Sequence, residues 1–528
     1  MDLERLIEIL SDPRAYPHPC EAVEVHQTHI SAVFLAGPYA YKIKKPLNLG
    51  FLDFGTLEKR HHYCLEEVRL NRRLAPGVYL GVLPITAHQG EIRVDGAGQV
   101  IEWAVWMERL PQEATLKERL ARSEAAPDLF DALARKLAQF HAQAQSGEHI
   151  STCGRWEVVA RNARENFEQS AGHVGTTVSR AVFDRSRELT ERALVALRPL
   201  IDTRARRGVP RDTHGDLHLD HVYSFPDRAP PDDLIAVDCI EFNERFRYGD
   251  PVGDTAFLVM DLLYSDRRDL ARRFSSAYFQ ASGDAEGASL LPLYTAYRAA
   301  VRGKVEGLEV FETEVSAAEK DRALVAARAH WLVGLGCLET PSRRPCLVCV
   351  GGLPGTGKST LSRGLAESAG FEEIRSDVVR KELAGLAPGA GAPASFGEGI
   401  YSPDWDRRTY TEVLQRAEER LFRGGRVLVD ASFREEATRQ AFLDAARRSG
   451  VPGLLLLCEA APGRVRERLA ARKGDASDAD WSVYLAAAER WEAPGPKTSS
   501  RLHRISTRKE PAQALALALG ALRTEELV

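Results

Sequence analysis

The run GGLPGTGKST at residues 351–360 constrains this chain more than any other stretch. Gly352, Gly357, Lys358 and Ser359 fit the spacing G-x-x-x-x-G-K-[ST]. Glycines at these places let backbone N–H groups converge on phosphate oxygens, and a helix that follows turns its positive end to the same anion. The flanks agree: the apolar CLVCV precedes and the helix-like STLSRGLAESA follows. Gly355, Thr356 and Thr360 complete the cradle. Lys358 is expected to reach the β- and γ-phosphates of ATP, and Ser359 to hold Mg²⁺.

The residues around this loop bear on what receives the phosphoryl group. Asp377, in IRSDVVRKEL, follows the next strand and is placed to take a proton from an acceptor hydroxyl. Arg380, one turn on, is placed to clamp an anion; Ser376 or Asp377 as a plain helix cap is the competing reading. Asp430 ends the strand RVLVD, where P-loop proteins hold magnesium, unless it is a strand-end turn residue. The stretch RVRERLAARKGDASDADW carries Arg464, Arg466, Arg468 and Arg472, either a lid over the nucleotide or a solvated basic face.

From residue 346 onward strands and helices alternate: CLVCVGG, EEIRSD, RVLVDAS and GLLLLCEA, each followed by helix. That pattern predicts an α/β domain with a parallel sheet over 346–528. The polar, proline-bearing ETPSRRP at 339–345 reads as a linker, and the Gly/Pro/Ala-rich 385–399 as a mobile surface loop. Before the linker, 1–338 reads as an α+β domain, with short strands around one helix to about 110 and helices from about 115. ISAVFLAGPYAYKIKKP reads as two strands joined at Gly37-Pro38, and GEIRVDGAGQVIEWAVWMERL as a hairpin turning at Asp95-Gly96.

Bulk properties exclude several classes. A net charge near −4 in 528 residues supplies no general field for nucleic acid, which remains possible only as an acceptor. The N-terminus is charged from its second residue, and runs such as GLLLLC are far too short to span a bilayer, so no membrane is expected and a cytoplasmic location follows. Eight cysteines are not a disulfide framework, and Cys346 and Cys349 read as small residues of a buried strand rather than a redox or zinc pair.

A second candidate site lies upstream. HGDLHLDH at 214–221 concentrates His214, His218 and His221 with two aspartates, which invites a zinc reading, though backbone pairing satisfies histidines equally well. Asp238 ends the strand-like LIAVD, 22 residues past Asp216. A loop aspartate for the acceptor followed by a strand-end aspartate for Mg²⁺ is the pairing of a protein-kinase-like fold. Lys42 in YAYKIKKP, with Lys44 as its rival on the same face, is then the phosphate-binding lysine, Glu67 its ion-pair partner, and VWMERL at 105–110 the hinge.

Two resemblances follow from these residues. On GLPGTGKST, SDVVRKEL, VLVDASF and RLAARKGDASDAD, residues from about 346 to 520 resemble P-loop kinases related to polynucleotide kinases, zeta toxins and gluconate kinases. The likeness implies that Asp377 serves the acceptor and that Arg468 and Arg472 contact phosphates. On HGDLH, AVDCIEF and YGDPVGDTAF, residues from about 25 to 335 resemble the aminoglycoside phosphotransferase family, which has a two-lobed protein-kinase-like fold, here with lobes at about 20–110 and 111–338. It implies Asp216 as catalytic aspartate, Asp238 as metal aspartate and Asp254 as a supporting acid. Where that family has a metal-binding asparagine, this chain has His221, a poorer ligand for hard Mg²⁺.

Taken whole, the chain resembles the bifunctional aminoglycoside phosphotransferase/ATP-binding proteins. The resemblance implies an ATP- and Mg²⁺-dependent kinase acting on a hydroxyl-bearing acceptor, with an upstream domain that is either a second phosphotransferase or a degenerate one. The rival is a nucleotide-responsive regulatory ATPase with a pseudokinase-like N-terminal domain, and a weaker third is zinc hydrolysis at the histidines.

Overall fold

The computed structural model describes residues 2–50, 52–313, 315–387, 399–471 and 479–528. Most of the 385–399 loop and Arg472 lie outside the described residues. The chain forms two compact units, each discontinuous in sequence: 1–160 with 197–262 and 268–294, and 161–196 with 263–267 and 295–528.

After a short helix, Leu3–Leu10, the first unit forms a six-stranded antiparallel sheet of β1 (Val23–Gln27), β2 (Ser31–Ala36), β3 (Tyr39–Lys44), β4 (Tyr79–His88), β5 (Glu91–Val94) and β6 (Gln99–Glu108), in the order β1-β2-β3-β6-β4-β5. The β2–β3 turn falls at Gly37-Pro38, where Gly37 takes φ +57°. The chain turns again at Asp95, but β5 and β6 are not partners: both pair with β4, so the expected hairpin is corrected. The ten-residue β4 is long enough to bond β6 along most of its length and β5 at its far end. The helix Leu57–Asn71 is capped by Thr56 Oγ1, which accepts from the Lys59 N–H at 3.3 Å. Its inner face buries Cys64, Glu67 and Val68 beside Val78, Val105 and Met107.

Helices make up most of the rest of this unit. Two small ribbons pin its loops: β7 (Arg211–Asp212) pairs with β10 (Tyr248–Gly249), and β8 (Val222–Ser224) with β9 (Leu234–Ala236). The strand expected over LIAVDCIEF is therefore only three residues long, because the chain leaves extended geometry at Asp238, φ +65°.

The second unit contains a five-stranded parallel sheet, β11 (Cys346–Gly351), β12 (Glu372–Arg375), β13 (Arg426–Asp430), β14 (Gly453–Glu459) and β15 (Leu502–Ser506), in the order β12-β13-β11-β14-β15. β15 escaped the sequence reading because LHRIS is short and half polar. β11, β13 and β14 are near-continuous apolar runs because both faces are covered, whereas the edge strand β12 is EEIR with only Ile374 buried. On one face Leu347, Cys349, Val427 and Val429 pack with Val182, Phe183, Trp331 and Leu335; on the other Val348, Val350 and Leu428 pack with Leu361, Leu365, Ala514 and Ala518. The helical segments 161–196 and 295–338 thus share a core with the P-loop sheet. Gly450 marks how close they come: a Cβ there would lie 2.7 Å from the Ala329 carbonyl oxygen. Cys346 and Cys349 belong to opposite faces of the sheet, so they cannot share a metal ion. Among the described residues no helix is long and apolar enough to cross a membrane.

Candidate functional site

The phosphate loop connects β11 to the helix Lys358–Ala369, and Gly352, Gly355 and Gly357 take φ +138°, +75° and +93°. A Cβ on Gly352 would stand 2.7 Å from the Cys458 carbonyl oxygen, and one on Gly355 2.8 Å from Val465 Cγ1. Thr356 Oγ1 donates back to the Leu353 carbonyl at 2.7 Å, and Lys358 Nζ donates to the same oxygen at 3.0 Å. Thr360 is exposed on the first helical turn.

Parallel register brings the acidic group alongside. Asp430 is opposite Val350 on one side and Arg375 on the other. Its side chain is 6% exposed. Burial pushes the Asp430 carboxyl up; the Lys358 ammonium and Ser359 hydroxyl pull it down, and the nearby Asp377 carboxylate adds to the rise. Lys358, Ser359, Asp377 and Asp430 therefore converge. Arg375, missed in the sequence, joins them: Nε lies 3.5 Å from Asp430 Oδ2 and Nη2 donates to Ser359 Oγ at 3.4 Å. The available signal was a basic residue at a strand end directly before Ser-Asp.

The helix Ser376–Leu383 is entered from Arg375 with no side-chain cap, so Asp377 sits in its first turn, not at its cap. Arg380 is buried, with Nη1 donating to the Ile400 carbonyl and Nη2 on Asp406 Oδ1, both at 2.7 Å. Arg468 lies over the loop: Nη2 donates to the Thr507 carbonyl at 2.7 Å, and Nη1 is 3.4 Å from the Cβ position of Gly357. Nη1 is buried with no hydrogen-bond partner among the described residues. Arg464 pairs with Glu467, and Arg466 lies over the Trp481 ring. The glycine geometry, the buried Asp430 beside Ser359, and the orphaned Arg468 N–H fit a nucleotide phosphate with Mg²⁺.

In the first unit, Lys42 Nζ stands 2.6 Å from Asp238 Oδ1 and 2.9 Å from Glu67 Oε1. Lys44, 1% exposed, bonds Glu67 Oε2 at 2.7 Å and also Glu241. Alternate residues of β3 point to one face, so both lysines share Glu67, but only Lys42 reaches Asp238. Burial opposes the Lys42 charge, yet Asp238 and Glu67 outweigh it and hold its pKa well above the usual range. Asp238 is held low, burial being outweighed by Lys42 and His221. Glu241, three residues past Asp238 in VDCIEF, was also missed.

Asp254 fastens the His214–Asp216 loop by accepting the His214 N–H at 2.8 Å and the Gly215 N–H at 2.9 Å, while His141 Nε2 lies 3.1 Å away. His214 is spent on structure: Nε2 donates to the Val237 carbonyl at 2.9 Å and Nδ1 accepts the Asp216 N–H at 3.3 Å. Burial pushes its pKa down to about 4. His221 Nδ1 donates to the Asp216 carbonyl at 2.8 Å, and its Nε2 faces Asp238 Oδ2 at 3.6 Å. An imidazole at this place does not fit an octahedral, oxygen-seeking Mg²⁺.

Residues 347–494 match a family model described as an AAA domain. Over 469 residues the chain is 34% identical to the uncharacterized protein Rv2004c of Mycobacterium tuberculosis (strain ATCC 25618 / H37Rv), covering 89% of this chain and 90% of that one. The uncharacterized protein Mb2027c of Mycobacterium bovis matches to the same extent. The chain belongs to their family. Among solved structures, an amicoumacin kinase in complex with AMP-PNP, Ca²⁺ and Ami aligns with 63% of this chain and 93% of its own, at 15% identity and TM-score 0.38. A sugar kinase from Janibacter sp. HTCC2649 aligns with 34% of this chain and 95% of its own, at 19% identity and TM-score 0.28. In this family member a unit with a six-stranded antiparallel sheet and helices is thus joined to a unit built on a five-stranded parallel sheet, which carries the AAA domain match.

Proposed function

We propose that the chain is an ATP- and Mg²⁺-dependent phosphotransferase whose P-loop domain moves the γ-phosphoryl of ATP to an acceptor hydroxyl, on a small molecule or a nucleic-acid 5′ end. One observation carries the reading: Lys358, Ser359, Asp430 and Asp377 converge at the mouth of a three-glycine loop. Asp377 orients the hydroxyl and takes its proton as the oxygen bonds to the γ-phosphorus; the bond from that phosphorus to the β–γ bridging oxygen breaks, and ADP leaves. Lys358 and Arg468 hold the phosphates, and Arg380, tied to Asp406, keeps the Asp377 helix in place. Ser359 and Asp430 hold Mg²⁺, which when bound neutralises phosphate charge. Screening ATP consumption against sugars, nucleosides, 5′-hydroxyl oligonucleotides and aminoglycosides tests this. Turnover that rises with one acceptor and disappears in Lys358→Ala supports it; hydrolysis indifferent to every acceptor removes it.

A second reading, a nucleotide-responsive regulatory ATPase with a pseudokinase-like first unit, is favoured by His221 beside Asp238 and by Lys42 engaged with Asp238. Asp216 and Asp238 are then binding residues. ATP hydrolysis by the unmutated chain that no acceptor stimulates is the outcome that favours it.

A further inference from the structure

Arg375 Nη2 donates to Ser359 Oγ at 3.4 Å, and its Nε lies 3.5 Å from Asp430 Oδ2. One guanidinium therefore engages both side chains assigned to Mg²⁺. A dication on the same two ligands meets a cation already in contact with them, and like charges at that range repel strongly where water is scarce. Arg375 and Mg²⁺ cannot both keep Ser359 and Asp430.

Glu373 supplies the place to which the arginine can move. In the parallel register of β12 and β13, Glu373 is opposite Leu428 and Arg375 is opposite Asp430. Alternate residues of a strand share a face, so both side chains stand on the face where Leu428 packs with Leu361 and Leu365 of the P-loop helix. Glu373 Oε1 is buried with no hydrogen-bond partner among the described residues. A buried acceptor left without a donor is costly, and it is retained where another state satisfies it. Burial and Asp430 push the Glu373 carboxyl up, while Arg375 and Arg363 pull it down, so Arg375 is near enough to act on Glu373 without a bond to Oε1.

From this geometry we propose that Arg375 is a positioning residue with two places: it holds Ser359 and Asp430 together while the P-loop is unloaded, and turns to Glu373 when Mg²⁺ and ATP bind. The unloaded site thereby keeps a buried Asp430 compensated and its two metal ligands in register. Mg²⁺ entry is then a competition with the guanidinium, and Glu373 sets its outcome by receiving the displaced charge. This role rests on the assignment of Ser359 and Asp430 to Mg²⁺ under the proposed function, but it needs no acceptor.

The test uses the full chain in a Lys42→Ala background, so that the first unit binds no nucleotide, and reads calorimetric affinity for AMP-PNP with millimolar Mg²⁺ and with EDTA. The ratio of the two dissociation constants measures how far the metal improves binding. Arg375→Gln is expected to raise that ratio by at least about 10-fold, the worth of one hydrogen bond to a charged group, because a competitor of the metal and its substitute in EDTA are both removed. Glu373→Gln, which is nearly isosteric, is expected to lower the ratio, because the displaced guanidinium has no carboxylate to receive it. The double variant is expected to follow Arg375→Gln, since Glu373 acts only through Arg375. Damage to the fold alone would shift both affinities together and leave the ratio where it was. If Arg375→Gln does not fold, the lowered ratio of Glu373→Gln decides the matter. A ratio unchanged in both single variants, or moved the same way by both, overturns the role of Arg375 alone; no AMP-PNP binding by the parent chain overturns the P-loop assignment with it.

Discussion

The ammonium of Lys42 stands 2.6 Å from Asp238 and 2.9 Å from Glu67, whereas Lys44, two residues on, is sealed between Glu67 and Glu241. One strand face therefore carries two lysines with different duties. Lys44→Ala leaves two buried carboxylates short of a partner and is expected to cost about 3–5 kcal/mol. Lys42→Ala is expected to cost clearly less, because Lys44 still holds Glu67, but to remove nucleotide binding by the first unit. Denaturant midpoints and ATP-analogue titration in a Lys358→Ala background separate the two.

Gly352→Ala places a methyl group 2.7 Å from the Cys458 carbonyl, at φ +138°. Strain of roughly 1–3 kcal/mol is expected together with loss of ATP binding by the P-loop. Calorimetric titration with an ATP analogue reads the second effect; wild-type affinity would contradict the cradle.

Arg468→Ala is expected to lower ATP turnover by about 10-fold or more while leaving the fold intact, since one guanidinium nitrogen is buried with no acceptor among the described residues. Arg464→Ala, which removes a solvent-facing pair with Glu467, is expected to change turnover little. Equal losses in the two variants would argue for a general basic face.

His214 predicts a pH dependence. Its pKa falls from 6.5 to about 4 on folding, so between those values the unfolded chain binds the extra proton and stability rises with pH. The contribution is complete above pH about 6.5 and is lost as pH falls towards about 4, on the order of 3 kcal/mol in all. His214→Asn keeps a donor and an acceptor for Val237 and Asp216 without the titration. Urea midpoints at pH 7, 5.5 and 4.5 are expected to fall less steeply in that variant.

Trp331→Ala opens a cavity in the core shared by the upstream helices and the P-loop sheet and is expected to cost about 3–5 kcal/mol. The loss is expected in the unfolding transition that ATP analogue shifts through the P-loop. A loss confined to the other transition would refute the shared core.

What the sequence determined by itself was local chemistry. The loop at 352–359 is legible because its backbone requirements fall on adjacent residues, and the alternation after 346 because a sheet covered on both faces needs apolar runs of strand length. Only tertiary structure separated Lys42 from Lys44, since both share a strand face and the distinction lies in Asp238 and Glu241, brought in from 196 and 197 residues away. The same holds for His214, withdrawn by Val237 and Asp254, for Arg375, set beside Asp430 by strand register, and for the helices of 161–196 and 295–338 on the P-loop core. Periodicity records which face of an element is buried; it carries no record of which distant segment arrives to bury it.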